Sequence, residues 1–400
     1  MESILKAVKI SESVYWVGAI DWKLRNFHGY DTGSGSTYNA YLILGKEPIL
    51  IDTVKSAFFE EMVARISSVI DPEKIEYIIS NHAELDHSGS LIKAQQRFKP
   101  KKILASAMGK KALEKQLGNI LHLEAVKNGE QLTLGDKTLK FIETRMLHWP
   151  DSMFTYYEAD KILFSQDGFG MHLASLERFS DQLEKDILLA EASKYYANII
   201  LPYSKVVINL LAALPKMNLS IELIAPDHGP IWRGEKDIKW ILQHYESWAN
   251  HKKNRKAVIL YDTMWGSTEK MALSMAEGLF SRGYAISMIN ASLTSRATVI
   301  TEIMFSEILI VGSPTINNGI FPSLADILTY VKGLKPQNLR GQAFGSYGWS
   351  GEAVTLLKEM MLAMNIKLSG EAISFQYVPD SSELQKAFEF GVMVAEDQNG

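Results

Sequence analysis

Cysteine is absent from all 400 residues, and that absence removes several chemistries at once. No disulfide can form, and no zinc can be held by thiolate. Iron–sulfur clusters and a fused four-cysteine iron module are excluded for the same reason. Any metal must be held by histidine and carboxylate, a donor set that suits iron, manganese or zinc and favours harder ions as its carboxylate share rises. Charge of one sign is also scarce. The net charge is −4, and the longest basic cluster is Lys252-Lys253-Asn254-Arg255-Lys256, so no nucleic-acid partner is expected. The opening Met1-Glu2-Ser3-Ile4-Leu5-Lys6 lacks a signal-peptide apolar region. No apolar run approaches the roughly 18 residues needed to cross a bilayer. A cytoplasmic protein without membrane contact is expected.

What is present is ordinary in bulk, with 46% apolar and 22% charged residues. The length exceeds one average domain, so two of unequal size are expected. The texture changes at the basic cluster. Before it, residues 237–250 carry Ile238, Ile241, Leu242 and Trp248 at helical spacing. After it, Ala257-Val258-Ile259-Leu260-Tyr261 is an apolar run of the kind found in a parallel strand covered on both faces. The domains are therefore set at 1–250 and 251–400. In the first, strand-like runs at 41–44, 49–52, 75–80, 102–105, 139–144, 161–164 and 222–225 alternate with helical segments such as 58–69 and 91–98. An α/β arrangement of two packed sheets with helices outside fits this pattern.

The densest chemistry lies in Asn81-His82-Ala83-Glu84-Leu85-Asp86-His87-Ser88-Gly89, directly after the strand at 75–80. Loops at strand ends carry sites. If the backbone stays extended, alternation puts His82, Glu84 and Asp86 on one side, while His87 points elsewhere and serves a second ion. Three later strands end the same way. One runs into Met146-Leu147-His148-Trp149-Pro150-Asp151, one into Asp167-Gly168, and one into Pro226-Asp227-His228-Gly229. Taken singly, a hydrogen-bonded loop histidine at 148 or 228 and a plain turn at Asp167-Gly168 would be unremarked. Taken in order, the four strand ends can share one rim.

The second domain carries an independent signal. Strand 257–261 opens into Asp262-Thr263-Met264-Trp265-Gly266-Ser267-Thr268, followed by a helix at 269–279. Hydroxyls and unpaired backbone N–H groups at a helix start bind phosphate, although Ser and Thr there are also common caps. Strand 307–312 opens into Ser313-Pro314-Thr315-Ile316-Asn317-Asn318-Gly319, and strand 342–345 into Ser346-Tyr347-Gly348-Trp349-Ser350-Gly351. Three such loops converge at the switch point of an open parallel sheet. No G-x-G-x-x-G follows strand 257–261, which argues against NAD in this domain.

In their order, His82-x-Glu84-x-Asp86-His87, His148, Asp167 and His228 resemble the binuclear site of the metallo-β-lactamase fold. Glu84 stands where the usual pattern has histidine, and that departure resembles the flavodiiron proteins, also called A-type flavoproteins or rubredoxin:oxygen oxidoreductases. A carboxylate in place of an imidazole favours iron over zinc. The resemblance implies a metallo-β-lactamase-like αββα sandwich followed by a flavodoxin-like doubly wound sheet. It implies that His82, Glu84 and His148 bind one iron, that Asp86, His87 and His228 bind the other, and that Asp167 bridges. His28 resembles a residue supporting this site from behind, whereas His122, His172, His244 and His251 are expected to be structural or surface histidines. Resemblance of the second domain to flavodoxin makes its ligand FMN. Thr263, Met264, Trp265, Gly266, Ser267 and Thr268 would hold the phosphate. Pro314, Thr315, Ile316, Asn317 and Asn318, together with Ser346, Tyr347, Gly348, Trp349, Ser350 and Gly351, would border the ring, with Trp349 stacking on it.

The implied activity is reduction of O2 to water and/or NO to N2O, with His28, Tyr30 and Lys55 as candidate proton sources. Electrons would come from outside, from rubredoxin, coenzyme F420 or another reduced flavoprotein. The implied assembly is a head-to-tail homodimer, or a homotetramer built from it, because one chain's cofactors would lie in different domains. Two rival readings stay open at this point: a zinc hydrolase of the same fold with an accessory flavodoxin domain, and an electron-carrying flavoprotein whose metal domain is a scaffold.

Overall fold

The computed structural model describes residues 4–397. Its chain forms two compact units. The first takes the residues up to Phe27, then Thr32–Tyr196 and Tyr203–Glu246; the second takes His28–Asp31, Ala197–Pro202 and the residues from Ser247 onward.

Two sheets build the first unit. One has seven strands, in the order Val8–Lys9, Val14–Trp16, Tyr41–Ile43, Ile49–Ile51, Tyr77–Ser80, Lys102–Ser106 and Leu123–Val126. Its first four strands pair antiparallel and the rest parallel. The other has six: Gln131–Leu134, Lys137–Glu143, Met153–Tyr157, Ile162–Gln166, Leu223–Pro226 and Trp232–Arg233. Strand alternation explains how they pack. Tyr41, Ile43, Ile49, Ile51, Ile79 and Leu104 join Leu139, Phe141, Met153, Ile162, Phe164 and Ala225 in a core between the sheets. Their neighbours Leu42, Leu50, Ile78 and Ile103 point the other way, onto Met62, Ile66, Leu91, Ala94, Phe98 and Leu113. Those residues belong to the helices Phe59–Ser67, Leu91–Phe98 and Ala107–Leu117. On the six-stranded sheet, Phe154 meets Phe169, which meets Tyr245 of the helix Gly234–Ala249. The layers are those of an αββα sandwich.

A continuous helical stretch, Lys185–Met217, corrects one expectation. Its 33 residues are long and apolar enough to cross a membrane by length and composition, with 39% of the most apolar window buried inside the protein. Asn198, Ser204, Lys205 and Asn209 break the run in the sequence, which is why no unbroken apolar segment stands out there. The stretch itself changes from α-helix to a π turn at Tyr196–Ile200 and a 3-10 turn at Leu201–Tyr203 before resuming.

The second unit is a parallel sheet ordered Ala285–Asn290, Asn254–Tyr261, Ser306–Pro314, Arg340–Tyr347, with Lys367–Leu368 and Ile373–Gln376 both pairing along the last. The order places the second strand outside the first and the third on its other side, which is the flavodoxin-like winding. Ala257, Ile259 and Tyr261 face one helical layer, where Met271, Met275 and Leu279 meet Phe390 and Val394. The helices that carry these residues, Ser267–Phe280 and Ser381–Glu396, touch backbone to backbone. A Cβ on Gly278 would lie 2.2 Å from the Phe388 carbonyl oxygen, and one on Gly391 would lie 2.3 Å from that of Met275.

Candidate metal centre and flavin cavity

Four strand ends meet at one rim of the sandwich. Tyr77–Ser80 of the seven-stranded sheet leads to His82, Glu84, Asp86 and His87; Lys137–Glu143, Ile162–Gln166 and Leu223–Pro226 of the six-stranded sheet lead to His148, Asp167 and His228. The extended-backbone expectation holds only as far as Glu84. Leu85–Ser88 forms a single helical turn, so Asp86 rotates away from His82 and Glu84 and joins His87. The seven side chains then fall into two groups: His82, Glu84, His148 and Asp167 in one, and Asp86, His87 and His228 in the other, with ligand-type atoms mutually within 4.8 Å in each.

Asp167 touches both. Its Oδ2 lies 3.2 Å from His82 Nε2 and 3.1 Å from His148 Nε2. Its Oδ1 lies 3.2 Å from His87 Nε2 and 3.4 Å from His228 Nε2. Glu84 Oε2 stands 3.4 Å and 3.3 Å from His82 and His148. Asp86 completes the other group, with its oxygens 3.5 Å from His87 Nε2 and 3.3 Å from His228 Nε2. Atoms bound about 2.1 Å from a shared ion lie about 3–3.5 Å apart, so the spacing fits an ion in each group. The buried atoms His82 Nε2, His87 Nε2, both Asp86 oxygens and Asp167 Oδ1 have no hydrogen-bond partner. Buried polar groups are ordinarily satisfied, and orphans aimed at one another are what a metal would satisfy.

The electrostatics agree. Burial opposes charge on Asp86 and Asp167, yet His87 drives both well below the usual carboxylate range, helped by His228 and His148. Burial likewise pushes His82 down, but Asp151 and Glu84 outweigh it and raise the imidazole to about 10. The carboxylates thus demand positive charge, which protons on the imidazoles supply and which metal ions would displace.

Several supporting residues escaped the sequence reading. Asp151 Oδ2 accepts from His82 Nδ1 at 2.9 Å and from the Ala83 amide at 2.6 Å. Asp227 Oδ2 lies 3.3 Å from His87 Nδ1. The Thr37 carbonyl oxygen lies 2.6 Å from His228 Nδ1. Tyr195 is buried with its ring 6.1 Å from that of His228. Asp151 and Asp227 sit inside the motif segments already singled out, which was the one available signal; Thr37 and Tyr195 gave none. His172 is buried with its ring 4.6 Å from that of His228, so this structural histidine packs directly behind the site. His28 is exposed and groups with the second unit.

In the second unit the three expected loops enclose a cavity of about 450 Å³. It is lined by Met264, Trp265, Ser267, Pro314, Thr315, Asn317, Asn318, Ser346, Tyr347, Gly348, Trp349, Ser350 and Tyr377. Gly266, in the left-handed region, begins the helix Ser267–Phe280 without a side-chain cap, leaving first-turn N–H groups for an anion. Thr263, Gly266, Thr268, Ile316 and Gly351 do not line the cavity. Thr263 Oγ1 instead accepts from the Gly266 amide at 3.0 Å, and Thr268 Oγ1 lies 2.8 Å from Ser346 Oγ, tying two loops together. Tyr377 was not anticipated. Trp265 and Trp349 stand 88% and 89% exposed at the rim, the setting of rings that wait for a flat ligand.

Fold and sites define a class: a metallo-β-lactamase-like metal domain joined to a flavodoxin domain. Residues 37–229 match the ODP family beta lactamase and residues 259–391 match flavodoxin. The nitric oxide reductase of Moorella thermoacetica is 42% identical over 392 residues, 97% of this chain and 98% of that one. The solved rubredoxin oxygen:oxidoreductase from the anaerobe Desulfovibrio gigas is 41% identical with a TM-score of 0.95, covering 98% of each chain. The crystal structure of the flavodiiron protein from Giardia intestinalis is 33% identical with a TM-score of 0.95, covering 99% of this chain and 97% of that one. The chain belongs to the flavodiiron protein family.

Proposed function

We propose that this flavodiiron oxidoreductase reduces O2 to water, NO to N2O, or both, at a pair of irons held by His82, Glu84, His148, Asp86, His87, His228 and a bridging Asp167. The observation that carries the reading is the placement of Asp167, one carboxylate oxygen toward each trio. Glu84 is the hard donor that favours iron. When bound, the irons supply Lewis acidity and two electrons, and reduced FMN supplies two more.

The protein's own part is positioning. Asp151 and the Thr37 carbonyl fix the far nitrogens of His82 and His228, so those two rings present Nε2 inward, while Asp227 lies beside His87 Nδ1. The Glu84 and His148 side chains keep 14% and 13% of their surface exposed, against 0–5% for the other five. Small substrates therefore approach from the Glu84–His148 side, and burial excludes bulk water from the rest. Tyr195 keeps its proton, because burial and then the nearby Asp167 push its hydroxyl well above the ordinary value.

In the second domain the helix start after Gly266 takes the FMN phosphate, and the loops at Pro314–Asn318 and Ser346–Gly351 border the ring, with Trp349 stacked on it. We set the domains at 1–250 and 251–400, and take rubredoxin as the electron donor on the strength of the relative that carries its name. We further propose a head-to-tail homodimer in the cytoplasm, in which one subunit's flavin serves its partner's irons.

The test is anaerobic reduction of the reconstituted protein, followed by separate mixing with O2 and NO while flavin reoxidation is followed. Rapid reoxidation is expected. Asp167→Ala should slow gas consumption by more than about 100-fold while FMN stays bound. Two zinc ions in protein made under iron-replete anaerobic conditions, with no gas consumption, would end the reading in favour of a hydrolase.

A further inference from the structure

The segment Pro226-Asp227-His228-Gly229 has its carbonyls held from outside, and one buried residue, through side chain and backbone, holds three of the four. Asn39, directly after the strand Ser36–Tyr38, is fully buried. Its amide donates to the Asp227 carbonyl at 2.7 Å. Its Nδ2 donates to the carbonyls of Pro226 at 2.7 Å and Gly229 at 2.9 Å. Its Oδ1 accepts from Trp16 Nε1 at 2.8 Å. The indole is itself fixed between Arg65 and Arg178, whose guanidinium carbons stand 4.7 Å and 4.3 Å from the ring. Thr37 extends the same rack: its Oγ1 accepts from the Gly229 amide at 2.7 Å, beside the carbonyl that faces His228 Nδ1.

We propose that Asn39 is a positioning residue that holds Pro226–Gly229 in place, so that His228 reaches Asp86 and Asp167 and the ion of the Asp86–His87–His228 group is retained. This rests on reading the seven side chains as the diiron ligands. The chemistry selects asparagine. Two N–H donors meet two carbonyls while the oxygen of the same amide takes an indole N–H. Aspartate has the same shape and keeps that acceptor, but it would set a carboxylate against two buried carbonyls without a donor. The hydrogen bonds of Asn39 run to Trp16 and to the 226–229 segment, so the effect falls on one ion.

Asn39→Asp, Asn39→Ala and Thr37→Val are compared with wild type in the full chain, loaded anaerobically with iron. Iron and FMN are counted per chain, electron paramagnetic resonance is recorded, and iron-edge anomalous scattering from crystals locates the ions. The expected result is one iron in place of two, retained beside His82, Glu84 and His148. Unchanged FMN, an isolated ferric signal after oxidation with ferricyanide, and second-iron binding weakened about tenfold or more should accompany it. Thr37→Val is nearly isosteric and should show the same direction if the Asn39 variants fail to fold. Two irons in Asn39→Asp at wild-type affinity, or equal loss of both ions, overturns the proposal. A wild-type protein that never holds an iron pair overturns the diiron reading itself.

Discussion

At the residue scale, the supporting carboxylates decide how firmly each imidazole is aimed. Asp151 accepts from both His82 and the next backbone amide, so it fixes the ring's tautomer and the local chain together. Asp151→Asn should weaken iron binding about 10–100-fold, measured by chelator competition, with FMN content unchanged. A second residue-scale effect lies in the flavodoxin domain. Lys253 donates to the carbonyls of Ile303 and Met304, and burial pushes its ammonium down to about 8 from an ordinary 10.5. The unfolded chain keeps this proton to higher pH than the folded one, so stability rises between about pH 8 and pH 10. Thermal melting over that window should show a gain of ~1–3 kcal/mol in wild type that Lys253→Met lacks. Neither effect was legible in the sequence. Asp151 lies far along the chain from His82, and the partners of Lys253 are backbone carbonyls, which carry no residue signature.

At the scale of elements, strands were easier to read than the turns between them. The apolar runs at 41–44, 49–52 and 102–105 appear as Tyr41–Ile43, Ile49–Ile51 and Lys102–Ser106, because a strand buried on both faces reads as a short continuous apolar run. Leu85–Ser88 could not be foreseen: one helical turn is too short to leave a period, yet it decides which trio Asp86 joins. Tyr377 reaches the flavin cavity from a loop without a motif. The crossing of Ser267–Phe280 over Ser381–Glu396 is another such feature, since it depends on Gly278 and Gly391 meeting backbone. Gly391→Ala should cost ~1–3 kcal/mol and displace the helix whose first turn faces the cavity. Calorimetry and flavin content would register this as a lower melting temperature and weaker FMN retention, with the iron count unaltered.

For the whole molecule, the chain divides into two compact units, each with its own candidate ligand site. Ligand binding stabilises the form that binds it, so chelating the metal should lower the melting transition of the first unit by several degrees. The flavin-monitored transition of the second should hold its position. A single transition that moved both signals equally would contradict the division. The two-part organisation was visible in the sequence through the change of texture near Lys252 to Lys256, while the small segments His28–Asp31 and Ala197–Pro202 that group with the second unit were not. Their membership depends on tertiary packing rather than on composition.

The proposed metal ligands come from both sheets, four from beyond Tyr77–Ser80 on one and three from strand ends on the other. An ion pair bound there acts as a rivet through the open edge of the sandwich, where the apolar filling between the sheets gives way to charge. Drawn out, the rivet should let that edge gape first. Amide hydrogen exchange near Asn81 and Gln166 should quicken on demetallation, while strand residues deep in the filling, such as Ile51 and Phe141, keep their protection.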